Sequence, residues 1–292
     1  MRRNHSRGSS GAQLITQELR AWIINQVAAG HKPDSILQVM GESGWNQEVA
    51  VVAIESTLKQ HLANRKKPVV LPPALPVPEP RLTGAPLHVD AGDRQVPVLA
   101  ALKLPRVVVF GELLSELECD ALMAAARPRL TPSLTVSTQI PDYEMSADRT
   151  SHGMFFERDE NDLIRRLEQR FARLLDWPVE NGENLQILRY RPGAEYKPHY
   201  DYFEPGELTT PALVEHGGQR VGTLLIYLNV PEQGGATQFP DVGLDVLPQR
   251  GHAVFFSYCR PHPSTRTLHA GLPVLAGEKW IATKWLRERP FV

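Results

Sequence analysis

Leu185-Gln186-Ile187-Leu188-Arg189-Tyr190, a Pro192-Gly193 turn, and Tyr196-Lys197-Pro198-His199-Tyr200-Asp201-Tyr202-Phe203 are the stretch whose reading decides this chain. The first run is rich in β-forming and apolar residues, and the second resumes with aromatics, so the spacing predicts a hairpin whose second strand carries His199 and Asp201. Residues two apart on an extended strand point to one face, which lets an imidazole and a carboxylate grip a single ion. His269 lies downstream, between Val254-Phe255-Phe256-Ser257-Tyr258 and Trp280-Ile281-Ala282-Thr283-Lys284-Trp285, where a later strand pair would return it to the same place. Two imidazoles and one carboxylate on one face of a metal leave coordination positions open, as in non-haem Fe(II) oxygenases. Such a return is what a β-barrel with a metal in its mouth requires.

An isolated His-x-Asp is a weak signal, because a histidine on an apolar strand is more often a satisfied core or surface residue. The wider run strengthens it. Lys279 follows ten residues after His269 and is expected one strand further along the same cavity wall. A buried lysine needs an anionic partner. A 2-oxo acid chelating the metal through its keto and carboxylate oxygens would offer its far carboxylate. His252, His216 and His262 lack partner carboxylates at metal spacing or sit in Gly/Pro-rich loops, and are set aside as ligands.

Four ordered blocks, Leu188 to Gly193 with Tyr196 to Phe203, Gly234 to Pro240, Leu268 to Val274, and Gly277 to Trp280, closely resemble the prolyl 4-hydroxylases of the Fe(II)/2-oxoglutarate dioxygenase superfamily. The resemblance covers roughly residues 83 to 292, including Leu114-Ser115, Glu118-Cys119-Asp120 and Arg149-Thr150-Ser151. It implies a mainly β domain, a double-stranded β-helix (jelly-roll) with flanking helices, that binds Fe(II) through His199, Asp201 and His269. By the same resemblance Lys279 holds the distal carboxylate of 2-oxoglutarate, Tyr190 and Thr237 hydrogen-bond that co-substrate, and Tyr196, Arg149, Arg220 and Trp285 line the pocket for a peptidyl proline. For these last four a plainer reading stays open, with Tyr196 and Trp285 as core aromatics and the arginines as surface charges. The implied reaction takes O2 and 2-oxoglutarate, with ascorbate as an accessory, yields succinate and carbon dioxide, and hydroxylates a prolyl residue in a peptide or protein. The cofactor carries the difficult step, and the protein contributes ligation, orientation and exclusion of water.

Other classes fit less well. A nucleic-acid demethylase of the superfamily would usually carry arginine in place of Lys279 and a more basic catalytic region. A zinc hydrolase would leave Lys279, Tyr190 and Thr237 without their shared ligand, and a non-enzymatic binding scaffold would have no use for an intact triad. A dioxygenase acting on a free amino acid stays open.

The 292 residues, 42% of them hydrophobic, are ample for a core. No apolar run approaches the roughly 18 residues of a membrane span. Met1 to Arg7 lacks an apolar leader core, and the two cysteines, Cys119 and Cys259, cannot form a disulfide scaffold. A cytoplasmic setting is expected. Residues 1 to 67 carry a net charge of +4 and the rest −5, which disfavours nucleic acid at the catalytic domain.

Residues 1–11 read as a flexible basic tail and 12–67 as a small all-α bundle. In it Ile15, Leu19, Trp22, Ile23 and Val27 recur at helical spacing; Pro33 opens a helix with Ile36, Leu37 and Met40 inward, stopped by Gly41 and Gly44; and Asn46 caps a third helix carrying Val49, Ala53 and Leu58. Residues 68–82 are Pro-rich, with five prolines between Val69 and Pro80, and are expected as a semi-rigid spacer. A stiff spacer suggests that the bundle docks a protein partner, with a packed lid as the alternative. Residues 132 to 153 suit a loop closing over substrate.

Overall fold

The structure, a computed structural model, describes residues 15–28, 30–66, 71–133, 135–136, 143–144 and 150–291. The chain divides into two compact units, Met1–Val70 and Leu71–Val292. Arg149 and most of the loop expected at 132–153 lie outside the described residues. Among the described residues no helix is long and apolar enough to cross a membrane.

The first unit is a three-helix bundle, Gln17–Ala28, Pro33–Glu42 and Gln47–Lys66. Its core joins Ile23, Ile36, Met40, Ala50, Ala53 and Ile54, with Leu19, Trp22, Leu37 and Leu58 packed around them. Pro33 opens the second helix, where its missing N–H costs nothing. The Asn46 carboxamide accepts from the N–H groups of Glu48 and Val49, capping the third helix. Two expectations are corrected: Val27 is 37% exposed, and the second helix runs through Gly41 to Glu42, with the left-handed turn left to Gly44.

The second unit is built on two antiparallel sheets. The large one has nine strands, in the order His88–Asp90, Gln95–Leu102, Arg106–Phe110, Ala253–Ser257, Arg220–Tyr227, Lys279–Arg287, Leu185–Tyr190, His152–Phe156 and Thr131–Pro132. The small one has four, Leu244–Val246, Thr237–Phe239, His269–Gly271 and Tyr196–His199. From Leu185 onward the chain passes large, small, large, small, small, large, small, large, the winding of a jelly-roll. The hairpin expected across Pro192-Gly193 is therefore not one. Leu185–Tyr190 pairs with Lys279–Arg287 and His152–Phe156, whereas Tyr196–His199 pairs with His269–Gly271. The Pro-Gly turn carries the chain from one sheet to the other; local turn chemistry marks where a strand ends and leaves its partner open.

Strand alternation gives the large sheet two apolar faces. One, with Ile187, Leu224, Ile226, Ala282 and Leu286, packs against the Asp162–Leu175 helix through Ile164, Leu167, Phe171, Leu174 and Leu175. That helix is capped by the Asn161 side chain on Ile164 N–H and ends at left-handed Asp176. The preceding helix, Glu116–Ala126, begins with a Ser115/Glu118 capping box. The other face, with Leu188, Tyr190, Leu225, Tyr227 and Ile281, meets Phe239 of the small sheet, and the cavity opens between the sheets.

Residues 71–82 are not a free spacer. Leu75 N–H donates to Cys259 carbonyl at 2.7 Å and Glu79 N–H to Leu175 carbonyl at 3.0 Å, while the Glu79 carboxylate pairs with Arg106. Pro78 is buried over Gly222, where a Cβ would come within 2.8 Å of its ring. Proline-rich segments stay extended in solution because they cannot pair internally; here the Leu75 and Glu79 N–H groups and the Pro78 ring find partners within the second unit.

Candidate active site

Three neighbouring strands of the large sheet supply one wall at two-residue intervals: Lys279, Ile281, Thr283 and Trp285 from one, Thr223 and Leu225 from the second, Leu188 and Tyr190 from the third. Register sets them in rows, with Lys279 opposite Tyr190, Ile281 opposite Leu188, and Thr223 opposite Trp285. The facing wall is the small sheet, with Tyr196, His199, Thr237 and His269. Lys279 thus stands across the cavity from His269; the intervening Val274–Ala276 strand carries the chain over, so the expectation of a shared wall is corrected.

His199 and His269 are cross-strand partners with ring centroids 4.3 Å apart. Asp201 lies two residues past the strand end at His199, with its Oδ1 3.6 Å from His199 Nε2 and its Oδ2 3.5 Å from His269 Nε2. The three groups each offer a ligand atom, all within 4.8 Å of one another. His199 Nδ1 faces Lys197 carbonyl at 2.8 Å and His269 Nδ1 faces Thr267 carbonyl at 3.1 Å. A carbonyl only accepts, so both Nδ1 atoms carry the proton and both Nε2 lone pairs are free for a metal. Burial, then the neighbouring His199, lowers the His269 pKa to about 4, against the opposing pull of Asp201. Burial alone would raise the Asp201 pKa, but His269, His199 and Arg220 overcome it and hold the carboxyl well below the usual range. A neutral imidazole facing an ionised carboxylate is the donor set a divalent metal fits.

Lys279 is 2% exposed. Among the described residues no carboxylate pairs with it; its ammonium lies 5.6 Å from the Tyr190 ring and 5.7 Å from the Tyr227 ring. With no anion to offset burial its pKa falls to about 7. A buried amine without a counter-ion, aimed into a cavity, fits a ligand that brings a carboxylate. Thr237, 1% exposed, accepts from Tyr227 Oη at 2.7 Å.

Of the residues expected around the substrate, Tyr196 and Trp285 line the cavity, and Tyr196 stacks on His199 with centroids 3.6 Å apart. Arg220 does not line it. Its guanidinium makes a two-pronged pair with Glu183 at 2.7 and 2.8 Å and lies 4.0 Å over the Trp285 ring, so it braces the indole from behind. Arg287 joins the same Glu183 carboxylate at 3.0 Å. Sequence reasoning missed Glu183, Tyr227, Thr223 and Tyr258. Thr223 and Tyr227 share the cavity face of one strand by alternation, but the contacts of Glu183 and Tyr258 are long-range and leave no local signal.

The model of the 2OG-Fe(II) oxygenase superfamily matches residues 185–287. Prolyl 4-hydroxylase 5 of Arabidopsis thaliana is 36% identical over 221 residues, 68% of this chain and 74% of that protein. Prolyl 4-hydroxylase 1 of the same plant is 40% identical over 202 residues, 63% of this chain and 70% of that protein. The 2OG complex of the viral collagen prolyl hydroxylase from Paramecium bursaria Chlorella virus-1 is 30% identical with a TM-score of 0.49, covering 62% of this chain and 95% of that one. On the extent of the match to its curated relatives, the chain belongs to the prolyl 4-hydroxylase family of the 2OG-Fe(II) oxygenases.

Proposed function

We propose that this protein is an Fe(II)- and 2-oxoglutarate-dependent dioxygenase that hydroxylates a prolyl residue in a peptide or protein. The observation that carries the reading is the buried amine of Lys279 across one cavity from a convergent His199, Asp201 and His269: a metal ligand set and an anion receptor, placed for a dicarboxylate that spans them. The names of the curated relatives support the prolyl substrate.

His199, Asp201 and His269 would hold the iron, leaving coordination places on the cavity side. Together iron, 2-oxoglutarate and dioxygen supply the oxidation, in which the 2-oxo acid leaves as succinate and carbon dioxide and one oxygen atom enters the substrate. Lys279 binds the far carboxylate and, because its amine is desolvated, pairs with it strongly. Tyr190, opposite Lys279 in register, and Thr237 would hydrogen-bond the same carboxylate. Leu188, Leu225 and Ile281 exclude water between the two ends. Tyr196 and Trp285 present flat faces to a pyrrolidine ring, with Arg220 fixing the indole; Arg149 belongs to the same proposal from sequence alone. Residues 12–67 are proposed as a docking domain for a protein partner.

Anaerobic titration with Fe(II) and then 2-oxoglutarate, followed by oxygen and mass spectrometry of a proline-rich peptide panel, tests this. A visible charge-transfer band and a gain of one oxygen on proline are expected. The band with oxidation elsewhere would discard the substrate class, and no band would discard the oxygenase.

A further inference from the structure

Asp201 has two oxygens in nearly equivalent positions, one 3.6 Å from His199 Nε2 and the other 3.5 Å from His269 Nε2. A neighbour tells them apart. Thr223 Oγ1 lies 2.6 Å from Asp201 Oδ2 and 3.0 Å from Tyr258 Oη, and Thr223 and Tyr258 are each 1% exposed. Counting protons gives these bonds a direction. An ionised carboxylate only accepts, and a threonine hydroxyl has one hydrogen. Thr223 must donate to Asp201, so Tyr258 must donate to Thr223. The result is a relay, Tyr258 O–H to Thr223 O–H to Asp201 Oδ2, in a dry setting where each bond polarises the next.

The relay is rigid. Thr223 sits within the large sheet, paired with Phe256 on one side and Trp285 on the other. Tyr258 is clipped to the same strand by its N–H on Val221 carbonyl at 3.1 Å. A carboxylate can bind a metal through one oxygen or two. Chelation by both would take one of the positions the triad leaves open, and a hydrogen bond occupying Oδ2 opposes it.

We propose that Thr223, backed by Tyr258, is a positioning residue that holds Asp201 as a one-oxygen ligand and so keeps a coordination place open for co-substrate. This rests on the iron and 2-oxoglutarate reading above.

The test is Mn(II) binding to the full chain, followed by electron paramagnetic resonance with and without 2-oxoglutarate, alongside thermal unfolding of the metal-free proteins. Outer-sphere partners of metal ligands typically govern affinity by about 10- to 100-fold; Thr223→Val should weaken Mn(II) by that order and lose the change that 2-oxoglutarate makes in the wild-type spectrum. Thr223→Ser should restore both. Tyr258→Phe, which leaves the donor to Asp201 in place, should lose metal affinity by less than Thr223→Val even where the two lower the melting temperature alike; a purely structural role would make affinity follow stability. Thr223→Ala carries the same expectation should Thr223→Val not fold. Wild-type affinity and spectrum in the Thr223 variants that lack a hydroxyl would overturn the inference and leave the metal site standing. Failure of the wild type itself to bind Mn(II) would overturn both.

Discussion

Raising the pH from 7 to 9 should loosen 2-oxoglutarate from this protein, because the group proposed to hold it is a lysine that burial has made easy to deprotonate. In the free cavity Lys279 has a pKa of about 7, so its amine is half charged at neutral pH and nearly all neutral at pH 9. A bound carboxylate selects the charged form and raises the pKa in the complex. Linkage then makes the dissociation constant grow with the neutral fraction of the free protein, about fifty-fold between pH 7 and 9 or about 2 kcal/mol, with uptake of about 0.9 proton per ligand at pH 8. His269, with its pKa near 4, stays neutral across this window and adds no slope. The assay is anaerobic isothermal titration of the Mn(II)-loaded protein in buffers of different ionisation enthalpy. Lys279→Arg, whose charge does not titrate here, should bind with no such slope. A dissociation constant flat from pH 7 to 9 without proton uptake would refute the reasoning. The ligand-free protein carries the same titration into its stability. The folded pKa lies below the unfolded value of 10.5, so the unfolded chain holds the extra proton between the two, and stability relative to Lys279→Met should rise from pH 7 to about 10.5.

Other consequences are as direct. His199→Ala, Asp201→Ala and His269→Ala should each abolish 2-oxoglutarate turnover and metal binding while the fold survives by circular dichroism; a fully active His269→Ala protein would end the ligand assignment. Arg170→Leu removes the guanidinium that holds Glu118 and Asp93 at 2.7 Å each, and should cost about 3 to 5 kcal/mol in denaturant unfolding, as breaking buried pairs does. In the wild type, burial would raise the Glu118 pKa, but Arg170 and the Ser115 N–H bring it down to about 2; the stability this contributes is complete above pH 4.5 and lost towards pH 2, an acid dependence the variant should lack. Gly222→Ala places a Cβ 2.8 Å from Pro78 and should destabilise by about 1 to 3 kcal/mol, as overpacking does; an unchanged melting temperature would mean the 71–82 segment does not bear on the sheet. Deleting residues 1–67 should spare turnover of a short peptide and impair that of a protein partner. Equal losses on both would favour a lid over a docking domain.

Residue type and spacing pointed to the proposed chemistry. His199, Asp201, His269 and Lys279 could be named from type, spacing and resemblance, because a metal and a carboxylate impose their demands on particular side chains whatever scaffold delivers them. The apolar positions Ile23, Ile36, Met40 and Ala53 and the Asn46 cap were legible for a related reason: helical packing and capping are local, repeating within four residues. Pairing was not legible. The Pro192-Gly193 turn looks the same whether it folds a strand back on its neighbour or hands it to another sheet, and only the long-range match of Leu188 with Ile281 and of His199 with His269 decides between them. The same holds for the 71–82 segment, whose prolines predict an extended chain but cannot announce that Gly222 leaves room for Pro78. Tertiary structure alone moved Arg220 from the cavity wall to the back of Trp285, put Lys279 opposite His199 and His269, and set Thr223 beneath Asp201. Each depends on partners up to tens of residues apart in sequence, chosen by the closing of two sheets over one core, and no pattern within a single strand records that choice.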